Sequence, residues 1–196
     1  MVKLMLGVCS HKAALYSVKN WHYSKRLPVG KTVRLGVWED DAFIGCVLFS
    51  RGASPHLGTK YGLKQTEVCE LVRIALKEHA APVSKIISIA MKILRKHSTG
   101  LKLVVSFADP AQNHVGIIYQ ASSWLYNGET SAGYEYWDDG RWKHAREVSG
   151  GAFGQQCKYD HTKLERRQTL PKHRYLFPFC CEVKGQIESK PYPKAL

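Results

Sequence analysis

The run Leu103-Val104-Val105-Ser106-Phe107-Ala108-Asp109-Pro110 constrains this chain more than any other stretch. Unbroken apolar residues over so short a length predict a strand covered on both faces. The proline ends that strand and frees Asp109 from the ladder. Gln112-Asn113 then leads into a helical spacing of Val115, Ile118, Ala121 and Leu125, and Gly128 is placed to stop it. A buried strand that carries an acid to its carboxyl end, beside a segment with His114, Tyr119 and Gln120, builds either a reactive site or a capped turn. The stretch alone leaves both readings open.

Before it, Lys3 to Cys9 reads as a strand, and Ser10 caps a helix to Trp21 with Ala14, Leu15, Val18 and Trp21 on one face. A loop of aromatics and cations runs to Pro28. Val33–Glu39 and Phe43–Ser50 form a hairpin around Asp40-Asp41, and the apolar second arm belongs in the middle of a sheet. A basic, glycine-containing loop leads from Ser50 to Leu63, followed by a strand over Glu67–Leu76. Pro82 opens a helix from Val83 to about Lys96. A second hairpin follows over residues 133–147, and the chain is irregular from Ser149 to Tyr175. This order predicts a mixed α/β fold, mostly antiparallel, with a parallel strand pair around the Val83 helix and helices on both faces. Residues 1–148 are expected as the main domain and 149–196 as a basic extension packed on it.

Twenty-nine Lys and Arg against sixteen Asp and Glu give a formal charge of +13. Such a surplus points to a polyanion, nucleic acid first and an anionic cofactor second. The six cysteines make no CxxC pair and read as small buried residues of a reducing compartment. No segment has the pattern of a signal peptide or a membrane span, so the expectation is a cytoplasmic protein with no membrane partner.

The strand–loop–helix order around Arg73 and Val83 resembles the GNAT acyltransferases, whose equivalent loop and helix cradle the pyrophosphate of coenzyme A. One departure stands out: Lys77-Glu78-His79-Ala80-Ala81-Pro82 replaces the family's glycine-rich loop. A closer resemblance rests on six motifs in order: Trp21-His22-Tyr23-Ser24-Lys25, Gly36-Val37-Trp38-Glu39, Phe49-Ser50-Arg51-Gly52-Ala53, Glu70-Leu71-Val72-Arg73, Ser106-Phe107-Ala108-Asp109-Pro110 and Ile118-Tyr119-Gln120-Ala121. In these the chain is similar to the Mom DNA-modification proteins of Mu-like phages. That resemblance implies a GNAT-like transferase placing a carbamoylmethyl (methylcarbamoyl) group on adenine N6 of phage DNA, which protects it from restriction. It also implies an acyl-CoA or acetyl-CoA cofactor and an iron centre, with the iron-site pattern falling on His22, Tyr23, Asp109 and Tyr119.

Imidazole, phenolate and carboxylate are plausible iron ligands as a set. The same four serve equally as acid–base machinery, with Asp109 as base and Tyr119 orienting it or relaying the proton. Arg73, Ile74, Val83, Ser84, Lys85, Ser106 and Asn113 are the residues expected against the cofactor. Adenine N6 lies inside the duplex, so double-stranded DNA has to present it as a flipped base. Trp21, Tyr23, Trp124 and Tyr126 are candidate platforms for that base. Lys25, Arg26, Lys31 and Arg51, with Lys163, Arg166, Arg167, Lys172 and Arg174 of the tail, are candidate phosphate contacts. A second copy of the chain is a further candidate partner. Two rivals stay open: a conventional GNAT N-acyltransferase of proteins or small amines, and a DNA-binding module without catalysis.

Overall fold

The structure is a computed structural model that describes residues 2–28, 30–52, 54–148 and 163–194. Its strands are β1 (Leu4–Val8), β2 (Thr32–Glu39), β3 (Ala42–Ser50), β4 (Val68–Leu76), β5 (Leu103–Ala108), β6 (Leu125–Glu129), β7 (Tyr134–Asp138), β8 (Arg141–His144), β9 (Arg166–Gln168) and β10 (His173–Pro178). Helices are α1 (His11–Trp21), α2 (Val83–His97), α3 (Ile117–Gln120), α4 (Ala145–Val148) and α5 (Cys181–Gln186).

Seven strands form the principal sheet in the order β1-β2-β3-β4-β5-β10-β6. Every neighbouring pair is antiparallel except β4 and β5, which run parallel because α2 carries the chain back between them. The mixed, mostly antiparallel α/β architecture read from the sequence is therefore present. Strand β3 is buried on both faces, as its unbroken apolar run requires: Val47 and Phe49 join the cluster under α2, and Cys46 and Leu48 join the one under α1. Helix α2 supplies Ile86, Ile87, Ala90, Met91 and Leu94 to the first of these. Helix α5 covers the opposite face farther along, where Val183 packs with Leu103, Val105 and Leu176.

Three sequence expectations change. The helix expected from Asn113 to Leu125 is a single turn, α3, followed by strand β6. Ser123 takes a left-handed backbone (φ 60), which no helix accommodates. Beyond it Trp124 and Tyr126 are buried against β10, so neither is a platform for a base; both are core. The apolar spacing came from two elements and only resembled one helix. Second, the 149–196 segment does not simply lie on the domain, since its strand β10 fills a central place between β5 and β6. Third, burial separates the cysteines: Cys9, Cys46 and Cys69 are buried, Cys180 is half-buried and Cys181 is exposed, while Cys157 lies outside the described residues. Strands β8, β7 and β9 make a separate small sheet. No helix among the described residues is long and apolar enough to cross a membrane.

Candidate active site

The parallel pair carries the site. Strands β4 and β5 are in register only from Val68–Leu103 to Glu70–Val105. At the next step the Ser106 hydroxyl, 2.8 Å away, takes the Leu71 carbonyl that a neighbouring strand would otherwise bind. Beyond this point the strands diverge, and a cavity of about 440 Å³ opens between them. Leu71 to Ile74 of β4, Phe107 and Ala108 of β5, residues 113–119 and Trp21-His22-Tyr23 line it. Segments distant in sequence thus meet, and the volume lies within the range of small-molecule pockets, about 300–1,000 Å³.

Helix α1 ends at His22, whose N–H bonds back to the Val18 carbonyl. Its ring stacks on Tyr23 with centroids 4.3 Å apart, and Tyr23 in turn meets His114 edge-on at 5.9 Å. The Ser24 backbone N–H donates to His22 Nδ1 at 3.0 Å. A backbone N–H can only donate, so Nδ1 is the bare nitrogen and the neutral ring carries its proton on Nε2. Burial, with Arg73, His114 and Lys25 adding, lowers the imidazole to about 4. Tyr23 is half exposed, and its phenol is raised by partial burial, with Asp109 adding to this and Lys172 and Arg73 opposing it.

Asp109 caps the turn after β5 by accepting from the Ala111 N–H at 3.0 Å. Its other oxygen pairs with Lys172 Nζ at 2.8 Å, at the start of β10. The turn-cap reading of Asp109 is thus present; its neighbours Ala108 and Asn113 line the cavity, and Asp109 itself is not among the lining residues. Tyr119 is buried, with its hydroxyl 2.8 Å from Ser106 Oγ. The Ser106 proton is committed to the Leu71 carbonyl, so the phenol donates to Ser106. Burial raises that phenol to about 12, with Ser106 opposing.

These details decide the iron reading. A metal needs a lone pair on His22, and Nδ1 already accepts from Ser24 while Nε2 carries the proton. Lys172 occupies the Asp109 carboxylate, and the Tyr119 phenol is held protonated. Among the described residues no group of three or more His, Cys, Asp and Glu could hold a metal. As they stand, the four residues do not fit an iron centre.

The cofactor expectations divide. Arg73, Ile74 and Asn113 line the cavity, and Ser106 sits behind it. Arg73 donates to the Val72 and Arg26 carbonyls, and partial burial lowers its guanidinium. Val83, Ser84 and Lys85 begin α2 away from the lining. The loop amides just before them, Ala80 and Ala81, are bound by the Glu39 carboxylate at 3.0 and 2.7 Å. A diphosphate therefore does not fit that loop while Glu39 is in place.

The cations divide as well. Lys25 and Arg26 belong to the cavity loop, with Arg26 paired to Glu147 at 2.6 Å. Lys31 and Arg51 instead line a second cavity, beside Val68 and Cys69 at the amino end of β4, whereas the first cavity takes Leu71 to Ile74 of that strand. Arg166 and Arg167 lie on the small sheet, 4.9 Å over the Tyr134 ring and 4.4 Å over Trp142. Lys163 is exposed just ahead of them, and Arg174 reaches the Asn127 carbonyl. Sequence reasoning gave no individual role to His114, Ser24 or Glu39, although Ser24 and Glu39 stand inside two of the quoted motifs and His114 in the segment after Asp109.

A mixed sheet whose central parallel pair splays open over a cavity is the architecture of the GNAT acyltransferases. An acetyltransferase of Bacillus subtilis solved in complex with CoA superposes with a TM-score of 0.52 over 92% of this chain and 100% of its own, at 13% identity. The Mom protein family matches residues 3–194, and the chain belongs to that family. It is 27% identical over 191 residues to the methylcarbamoylase mom of Escherichia phage Mu, covering 90% of this chain and 78% of that protein.

Proposed function

We propose that this chain is a transferase that places a carbamoylmethyl (methylcarbamoyl) group on N6 of adenine in DNA, so masking the DNA from restriction. Family membership with a relative named methylcarbamoylase supports the reaction. The observation that carries it here is the convergence of His22-Tyr23, Arg73 and residues 113–119 around one cavity where β4 and β5 part, with Asp109 next in the chain to Ala108 of its wall. A net charge of +13 supports a polyanionic partner.

Adenine N6 is a weak nucleophile because its lone pair is delocalised into the ring. Transfer to it needs an oriented electrophile, excluded water and a base for the departing proton. Asp109 is the base in this reading, and it exchanges its Lys172 partner for the amine as substrate enters. His22 Nε2–H is a neutral donor, suited to an acceptor atom of the transferred group or of the base. Trp21 and Tyr23 supply aromatic surface at the mouth for an extruded purine. An acyl-CoA-type donor has the shared fold as its support; when bound it would supply the activated group. Glu39 holds the loop amides that a diphosphate would use.

The test is mass spectrometry of nucleosides from DNA of cells expressing the chain. A carbamoylmethyl adduct of deoxyadenosine, lost in Asp109→Asn, is expected. Unmodified deoxyadenosine from well-folded protein in cells that carry the donor would overturn the proposal.

A further inference from the structure

We infer that Glu39 fills the anion seat ahead of α2, so that this enzyme selects a group donor that does not bind through a diphosphate there. The inference rests on the transferase reading and concerns which donors the site admits.

The two Glu39 oxygens are both used, Oε1 by Ala81 N–H at 2.7 Å and Oε2 by Ala80 N–H at 3.0 Å. Pro82 follows and has no N–H to offer, so these are the amides that face outward ahead of the helix. The carboxylate is delivered by a braced hairpin. Glu39 is opposite Leu4 on one side and Ala42 on the other. Asp40 next to it exchanges backbone and side-chain hydrogen bonds with Lys3, each 2.8 Å. Those two amide bonds hold the Glu39 carboxyl below the usual range, with nearby His79 in support, so it stays ionised at neutral pH. A diphosphate seeking the Ala80 and Ala81 N–H groups meets a fixed negative charge, and both of those amides already donate to it. The loop Lys77–Pro82 also lacks glycine, and so lacks the freedom to turn a second set of amides toward an anion.

The consequence is a loss of the preference for the diphosphate-bearing donor expected of a CoA enzyme. Two probes separate the possibilities: acetyl-CoA, and S-acetylpantetheine, which carries the same thioester arm without the nucleotide diphosphate. Titration calorimetry on the full chain is expected to give wild-type affinities for the two that differ by less than about tenfold. In Glu39→Gln the acetyl-CoA affinity rises by about tenfold or more, while S-acetylpantetheine is unchanged. Amide resonances of Ala80 and Ala81 move on adding acetyl-CoA to the variant and stay still in the wild type. Acetyl-CoA binding the wild type more than about tenfold tighter than S-acetylpantetheine, with those two amides shifting, overturns the inference; so does a folded variant without gain. The wild-type arm needs no variant and decides the matter should Glu39→Gln fail to fold. Nucleoside analysis reads the transferase separately, so DNA left unmodified by a protein with the expected binding pattern would count against the reaction and not against Glu39.

Discussion

Lys172 Nζ stands 2.8 Å from the Asp109 carboxylate, joining the start of β10 to the end of β5. The proposed base is thus held by a cation from far along the chain. Asp109→Asn tests it cleanly, since asparagine keeps the cap on Ala111 through its remaining oxygen. The expected result is a loss of DNA modification of about 10²-fold or more, with the circular dichroism spectrum and melting temperature close to wild type. Lys172→Met should leave Asp109 without its ion-pair partner while leaving modification measurable by the same nucleoside analysis.

Tyr119 is expected to act through structure. Its folded-state phenol sits at about 12, above the ordinary value near 10. The unfolded chain therefore loses its proton first, and stability falls as pH rises from about 10 to about 12. Tyr119→Phe should flatten that part of the stability curve. At neutral pH it should destabilise by about 1 kcal/mol, the worth of one hydrogen bond, as read by urea denaturation. Retained modification in Tyr119→Phe would assign the phenol to positioning.

His22 gives the opposite sign. Its imidazole is lowered to about 4, so the unfolded chain binds a proton first as pH drops. Stability is full above about 6.5 and is lost toward about 4. His22→Gln should remove part of that acid sensitivity. Nitrogen chemical shifts of the wild-type ring should report a bare Nδ1 and a protonated Nε2, and the reverse tautomer would reopen the metal reading.

DNA seated over the cavity is expected to touch Lys25 and to miss Lys31, which lies at the other end of β4. Lys25→Ala should reduce the log–log salt slope of duplex binding by about 0.9, one phosphate contact. Lys31→Ala should leave the slope unchanged. Equal effects from the two would place the duplex elsewhere.

Gly116 begins the cavity wall with φ 85, and a Cβ there would meet the Tyr175 ring at 2.3 Å. Gly116→Ala combines an unfavourable backbone with a clash against a fully buried ring. A loss of about 2–3 kcal/mol is expected, visible as a lowered melting temperature.

Much of this was legible in the chain. The hairpin of β2 and β3, the buried strand β5 and the proline start of α2 follow from alternation, apolar runs and breakers. Asp109 was legible because a proline directly follows it on a buried strand. Tyr119 lies in the segment that the sequence marked, but the sequence could not reveal its hydrogen bond to Ser106. The segment from Asn113 to Gly128 misled because one turn of helix and one strand follow each other with apolar residues in both, and together imitate a longer helical stripe. Strand β10 was legible as an apolar run, yet nothing local told of its insertion between β5 and β6. The ends of β4 to which the cations belong were equally hidden, since Lys25 and Lys31 are neighbours in sequence on opposite sides of the sheet's length.

The insertion of β10 has a temporal meaning. Ribosomal synthesis delivers β5 and Asp109 long before the residues that complete their edge. Until His173–Pro178 emerges, β5 presents an unsatisfied flank and the carboxylate lacks its lysine. A nascent chain short of β10 therefore holds β5 and Asp109 without the partners that the finished protein gives them.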